Sequence, residues 1–179
     1  MVNSLGEIDD DGYQRLKHAL LERVFDKESS VRVQAVVALA KLQEADSVES
    51  DDEDDEDSDD EFSESRKTKV ADVLIDVLEH DAAAEVRRAA LFNLIPTQAS
   101  LHALATRTLD VDITNRRVAY THVLADVPVK AFTREERAEI VARGLKEREP
   151  AVKRAAGRLV AKWAEDLGGA VEVRLHVLC

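Results

Sequence analysis

The sequence predicts an all-α solenoid of about four stacked helix pairs, and three observations carry that prediction. Aromatic residues are only 4% of the 179, with 6 glycines and 3 prolines, so the residues that strands and their turns favour are scarce. A pattern recurs without gaps in DKESSVRVQAVVALAKL (26–42), DAAAEVRRAALFNLI (81–95), DVDITNRRVAYTHVL (110–124) and EREPAVKRAAGRLVAKW (147–163). Each copy is preceded by another amphipathic stretch, which supplies the first helix of the pair.

Within each copy an acidic residue opens the pattern: Asp26, Asp81, Asp110, Glu147. Val31, Val86, Asn115 or Val152 follows five places on, and then Arg32, Arg87, Arg116 or Lys153. Ala35, Ala90, Ala119 or Ala156 comes next, and Leu39, Leu94, Val123 or Val160 four residues later. Rows at i, i+4 and i+8 place these on one helix face, the small Ala sitting where two helices approach closely. The preceding helices are marked by Leu16, Leu20, Leu21 and Val24; by Val70, Val73, Leu74, Val77 and Leu78; by Leu101, Leu104, Ala105 and Leu109; and by Ile140, Val141 and Leu145. Thr133 and Glu136 form a capping box before the last of these, and Pro150 suits a first helical position. Pro96 and Pro128 follow helix ends. Helix pairs with an Asp-x4-Val-Arg-x2-Ala second helix read as HEAT-type repeats, and such stacks need about three units to be stable.

The solenoid is expected over residues 13–166, after an N-terminal tail of residues 1–12. An acidic loop, 45–65, interrupts it. Residues 49–64 hold 12 of the 37 acidic residues and no basic one. Like charges and little apolar material predict disorder there. Without that run, 25 acids face 25 Lys and Arg, so the net charge of −12 belongs to the insert and does not exclude a nucleic-acid partner. The tail 167–179 breaks the helical pattern, and its alternating Val171, Val173, Leu175 and Val177 find no partner strand in the sequence.

Catalytic constellations are missing from the pattern. His18, His80, His102, His122 and His176 are scattered and lack H-E-x-x-H or Cys partners, which argues against zinc. There is no phosphate-cradling Gly loop and no G-x-S-x-G elbow, and the single Cys179 excludes a disulfide framework. The expectation is a non-enzyme without cofactor, metal or small-molecule substrate. No apolar stretch reaches the ~20 residues of a membrane span, and the acidic N-terminus lacks a signal-type core.

The second helices supply cations instead. Arg32, Arg87, Arg116 and Lys153 recur at one repeat position and are expected to pair with an acid near the turn of their own or the next repeat. The adjoining Arg88, Arg117 and Arg154 are less needed for stacking, since Val33 takes their place in the first pair. They form either a stripe that neutralises duplex phosphates without sequence preference or an ordinary solvated face. Trp163 reads as a core plug, and Tyr120 as buried with its hydroxyl at an edge. The insert serves as a solubilising spacer, an intramolecular competitor for the cations, or a kinase substrate at Ser50 and Ser58, each with an acid three places on.

The runs LLERVFDKESSVRVQAVVALAKLQ (20–43), EVRRAALFNL (85–94), NRRVAYTHVL (115–124) and GLKEREPAVKRAA with its Trp163 resemble the G-type HEAT-repeat, non-SMC subunits of condensin. The resemblance covers about residues 13–166 and includes the acidic insert after the first pair. It implies a subunit of a chromosome-compacting complex that binds a kleisin segment and, with it, double-stranded DNA. ATP hydrolysis would fall to the SMC ATPase subunits reached through the kleisin. Nucleus and chromosome are the implied locations, with a cytoplasmic pool also allowed. Family members are several-fold longer, which implies a portion of the N-terminal arm, and the residues after Trp163 depart from their pattern. Arg88, Arg117, Lys153 and Arg154 are the DNA-contact candidates by the charge argument above. The competing expectation is a HEAT adaptor that binds only proteins.

Overall fold

The structure, a computed structural model, describes residues 9–49 and 68–168. It divides at Ile95–Pro96 into two compact units, each holding two of the expected pairs. All regular elements among the described residues are helical.

The first unit comprises α1 (Asp10–Val24), α2 (Ser29–Leu39), a 3-10 turn at Ala40–Leu42, α3 (Gln43–Glu49), α4 (Val70–His80) and α5 (Ala84–Asn93). Asp9 starts α1 by accepting the Gly12 N–H at 3.0 Å, and Asp10 and Asp11 face the positive end of its dipole. Helix α2 packs between α1 and α5, and α4 packs on α5. Val24, Val36, Leu39, Leu74, Leu78, Val86 and Leu91 fill the core, with Ala35 and Ala90 buried at the expected small-residue positions.

Three expectations fail here. Of the four apolar residues assigned to the buried face of α1, only Val24 is buried; Leu16 is exposed, while Gln14 and Lys17 point inward. Lys17 is 1% exposed because its ammonium reaches the carboxylate of Asp46, which is 8% exposed. The other Asp46 oxygen accepts the Val70 N–H at 2.7 Å, so this one carboxylate joins α1, α3 and the start of α4. For the same reason the acidic loop does not begin at residue 45. Residues 45–49 belong to α3, because Asp46 has its own cation and the repulsion argument applies only beyond it. Gln43 adds a second anchor, donating to Asn93 O at 2.9 Å and accepting the Ile95 N–H at 3.0 Å. Residues 10–12 are likewise helical rather than tail. Residues 50–65, with Ser50 and Ser58, and the tail from 169 onward lie outside the described residues.

The second unit begins with α6 (Leu101–Thr106), tightened into a 3-10 turn at Arg107–Leu109. Next, α7 (Ile113–Val118) runs on through a π-turn at Ala119–Val123 into a last α turn at Leu124–Asp126. A 3-10 turn (Val129–Ala131), α8 (Arg134–Lys146) and α9 (Pro150–Asp166) complete it. The capping box of α8 is present: Glu136 N–H donates to Thr133 Oγ1 at 3.2 Å and Thr133 N–H to Glu136 Oε2 at 2.8 Å. Pro150 occupies the first turn of α9. Trp163 is 1% exposed and lies against Phe132 with ring centroids 5.7 Å apart, inside a cluster with Leu124, Ile140, Val152 and Leu159. Tyr120, carried inward by the π-turn, donates to Ile140 O at 3.2 Å, and burial pushes its phenol up to about 12.

Leu109 and Leu145 were expected in the apolar stripes but are 60% and 67% exposed. The 3-10 turn rotates Thr108 inward, where its hydroxyl donates to Ala105 O, and leaves Leu109 outside. On α8 the inward place is taken by Gly144. A Cβ on Gly144 would stand 2.5 Å from Ala156 Cβ, so only glycine permits this approach of α8 to α9. Gly144→Ala is therefore expected to lower stability by about 1–3 kcal/mol in denaturant unfolding, through overpacking. Adding Ala156→Gly should recover most of that loss; a double variant no more stable than the single would refute the contact. At the end of α9, Leu167 is buried and Gly168 turns the chain at φ 88°, so the fold extends just past 166.

Candidate nucleic-acid interface

The recurring Arg next to each Val/Asn position has a structural task. Arg32 grips Asp81 of the following pair with two bonds, Nε–Oδ2 at 2.7 Å and Nη2–Oδ1 at 2.9 Å, while Nη1 donates to Asp26 O and Lys27 O of its own turn. Arg116 repeats the arrangement in the second unit. It holds Glu147 at 2.9 and 3.4 Å and donates to Asp110 O and Val111 O. Arg87 likewise donates to Asp81 O and Ala82 O of its own turn. Burial alone would push the Asp81 carboxyl up, but the Arg32 guanidinium and the Ala83 N–H hold it below the usual carboxylate value. For Glu147 burial is again outweighed, by the Glu149 N–H and Arg116. These arginines are spoken for, as the repeat position predicts.

Lys153 occupies the same position, yet it is exposed and makes no ion pair among the described residues. Of the other candidates, Arg88 is half-buried in the first unit and helps the Ser29 hydroxyl hold the Glu85 carboxyl low. Arg117 on α7 and Arg154 on α9 are exposed. Helices α7 and α9 pack on each other, so Arg117, Lys153 and Arg154 share two adjoining helices of the second unit. Arg88 belongs to the other unit.

Two cations were missed by the sequence reading. Arg158 and Lys162 are exposed on α9, four and eight residues beyond Arg154. The signal was available: Arg154, Arg158 and Lys162 make one i, i+4, i+8 row, and residues 150–164 contain no acid. Lys162 donates to Ala125 O, which places the end of that row against the last turn of the α7 segment.

A different surface of this unit is mixed. Leu109, Val111, Arg143, Lys146 and Arg148 line an open groove of about 560 Å3, and Val111 is 87% exposed. Among the described residues no group of His, Cys, Asp and Glu could hold a metal ion, and no helix is long and apolar enough to cross a membrane.

Over 168 residues the chain is 37% identical to condensin complex subunit 3 of Schizosaccharomyces pombe, an alignment covering 93% of this chain and 17% of that protein. The Saccharomyces cerevisiae protein of the same name is 35% identical over 173 residues, covering 94% and 16%, and the Homo sapiens one 32% over 173, covering 96% and 15%. The chain thus spans about a sixth of the length of the curated relatives it matches. A crystal structure of the S. pombe condensin Cnd3–Cnd2 subcomplex matches with a TM-score of 0.80 and 32% identity, over 99% of this chain and 21% of the other. No protein-family profile matches the chain.

Proposed function

This chain is homologous to a segment of condensin complex subunit 3, and from that premise we propose that it is a non-catalytic HEAT module of condensin that binds a kleisin and double-stranded DNA without sequence preference. Its setting is mitotic chromosome condensation, in the nucleus and on the chromosome; nothing found supports the cytoplasmic pool. Hydrolysis of ATP belongs, in this reading, to the SMC subunits that the kleisin links. The kleisin part is supported by the solved relative, which is a complex with Cnd2. Exposed aliphatic side chains at Leu109, Val111, Ile113 and Leu145 offer apolar surface for such a protein partner.

The observation that carries the DNA part is the set of exposed cations, Arg117, Lys153 and Arg154, on two packed helices of a chain whose net charge is −12. Duplex binding measured by fluorescence anisotropy is expected to weaken steeply with salt, since each phosphate neutralised contributes about 0.9 to the log–log slope. Arg117→Glu with Arg154→Glu should reduce the affinity about tenfold or more at 0.1 M salt. Salt-insensitive behaviour that the double variant leaves unchanged would favour the protein-only adaptor. Deleting residues 50–65 should tighten binding if the insert competes for the cations, and leave it unchanged if it is only a spacer.

A further inference from the structure

Resting on the duplex reading, we infer that α9 is the element that follows a DNA strand, with Arg158 and Lys162 as further phosphate contacts and Gly157 as the point where the backbone comes nearest. Successive members of the Arg154–Arg158–Lys162 row stand about 6 Å apart along the axis, so the row extends about 12 Å. One strand of B-DNA presents a charge about every 3.4 Å of axis, so a strand running along α9 sets about three phosphates within reach of the row. No acidic side chain interrupts residues 150–164, and Glu165 and Asp166 mark its end. Lys162 lies over the Ala125 carbonyl, close to the end of the preceding helix segment. It thus covers with a cation the carbonyl end that would otherwise repel a phosphate.

Gly157 sharpens the assignment. A glycine inside a helix is destabilising relative to alanine and is ordinarily explained by a close neighbour. Gly144 has such a neighbour; at Gly157 a Cβ would meet nothing within 4 Å. Packing within the described residues therefore gives no reason for glycine here. It is exposed one turn beyond Lys153 and Arg154, its i−4 and i−3 neighbours on the helix surface, where a bare backbone lets a sugar-phosphate chain approach beside these cations.

The test measures 20-base-pair duplex binding by the full chain across a salt series. Arg158→Gln with Lys162→Gln should lower the log–log slope by about 1.8. The control, Lys130→Gln with Arg134→Gln, changes the net charge equally at exposed positions off the row and should leave the slope near wild type. Equal losses from both pairs would overturn the inference and leave the duplex reading standing, because only net charge would then matter. A wild-type chain without salt-dependent binding would sink both. Gly157→Leu provides an independent readout: the melting temperature holds or rises while duplex affinity falls at least severalfold. Affinity unchanged in Gly157→Leu would remove the close approach.

Discussion

Asp46→Ala is expected to destabilise the first unit by about 3–5 kcal/mol. The substitution strands the Lys17 ammonium, which is 1% exposed, without its counter-charge, and it takes the acceptor from the Val70 N–H. Removing one member of a buried pair is costly for that reason, even though such a pair contributes little net stability over well-packed apolar residues. Asp46→Asn keeps an acceptor for Val70 and should lose less. Lys17→Met combined with Asp46→Leu should lie closer to wild type than Asp46→Ala does. Far-UV circular dichroism in a denaturant series measures the change. The fluorescence of Trp163, the chain's single tryptophan, reports the second unit separately. A loss below about 1 kcal/mol for Asp46→Ala would mean that water reaches the pair and the clasp is not structural.

Trp163→Ala carries a comparable expected loss, about 3–5 kcal/mol, by emptying the centre of the second unit's core. The ring is 1% exposed and contacts Phe132, but its Nε1–H has no hydrogen-bond partner among the described residues. An unsatisfied buried donor costs about 1–3 kcal/mol, so Trp163 is held by its bulk against a polar penalty. Trp163→Phe removes that penalty together with part of the volume. It should therefore cost clearly less than Trp163→Ala does, because the ring that remains leaves a smaller cavity. Equal losses for Phe and Ala would show that the indole's full size decides.

The helix pairs were legible because their signal is local. Val-Arg-x2-Ala on the second helices, the Thr133–Glu136 box and Pro150 each act within about one or two turns, and the structure places the box, the proline and the four buried alanines as read. Val31, in the first turn of α2, is exposed where Val86, Asn115 and Val152 are buried, and among the described residues Lys153 makes no ion pair where Arg32 and Arg116 do. Long-range pairing was not legible. Nothing near Lys17 marks it as buried, since Asp46 lies 29 residues away and looks like the first of many acids. Helix ends misled for a related reason: Leu109 and Leu145 continue an ideal stripe, but a 3-10 turn and Gly144 rotate the inward face by one residue. At the candidate interface, Arg117, Lys153 and Arg154 were found from the repeat alignment. Arg158 and Lys162 fall inside the fourth copy but not at its shared positions, and finding them required following one helix row.

The Arg32–Asp81 and Arg116–Glu147 bonds also bear on how the protein melts. In a stack of repeats, total stability is a sum of what each pair holds alone and what it gains from its neighbour. Each of these guanidinium groups closes its own pair's turn and grips the acid that opens the next, so it contributes to both quantities at once. One side chain thereby ties the order of a pair to the order of its successor. Within each unit the two pairs are therefore expected to unfold in one cooperative transition instead of fraying one after the other.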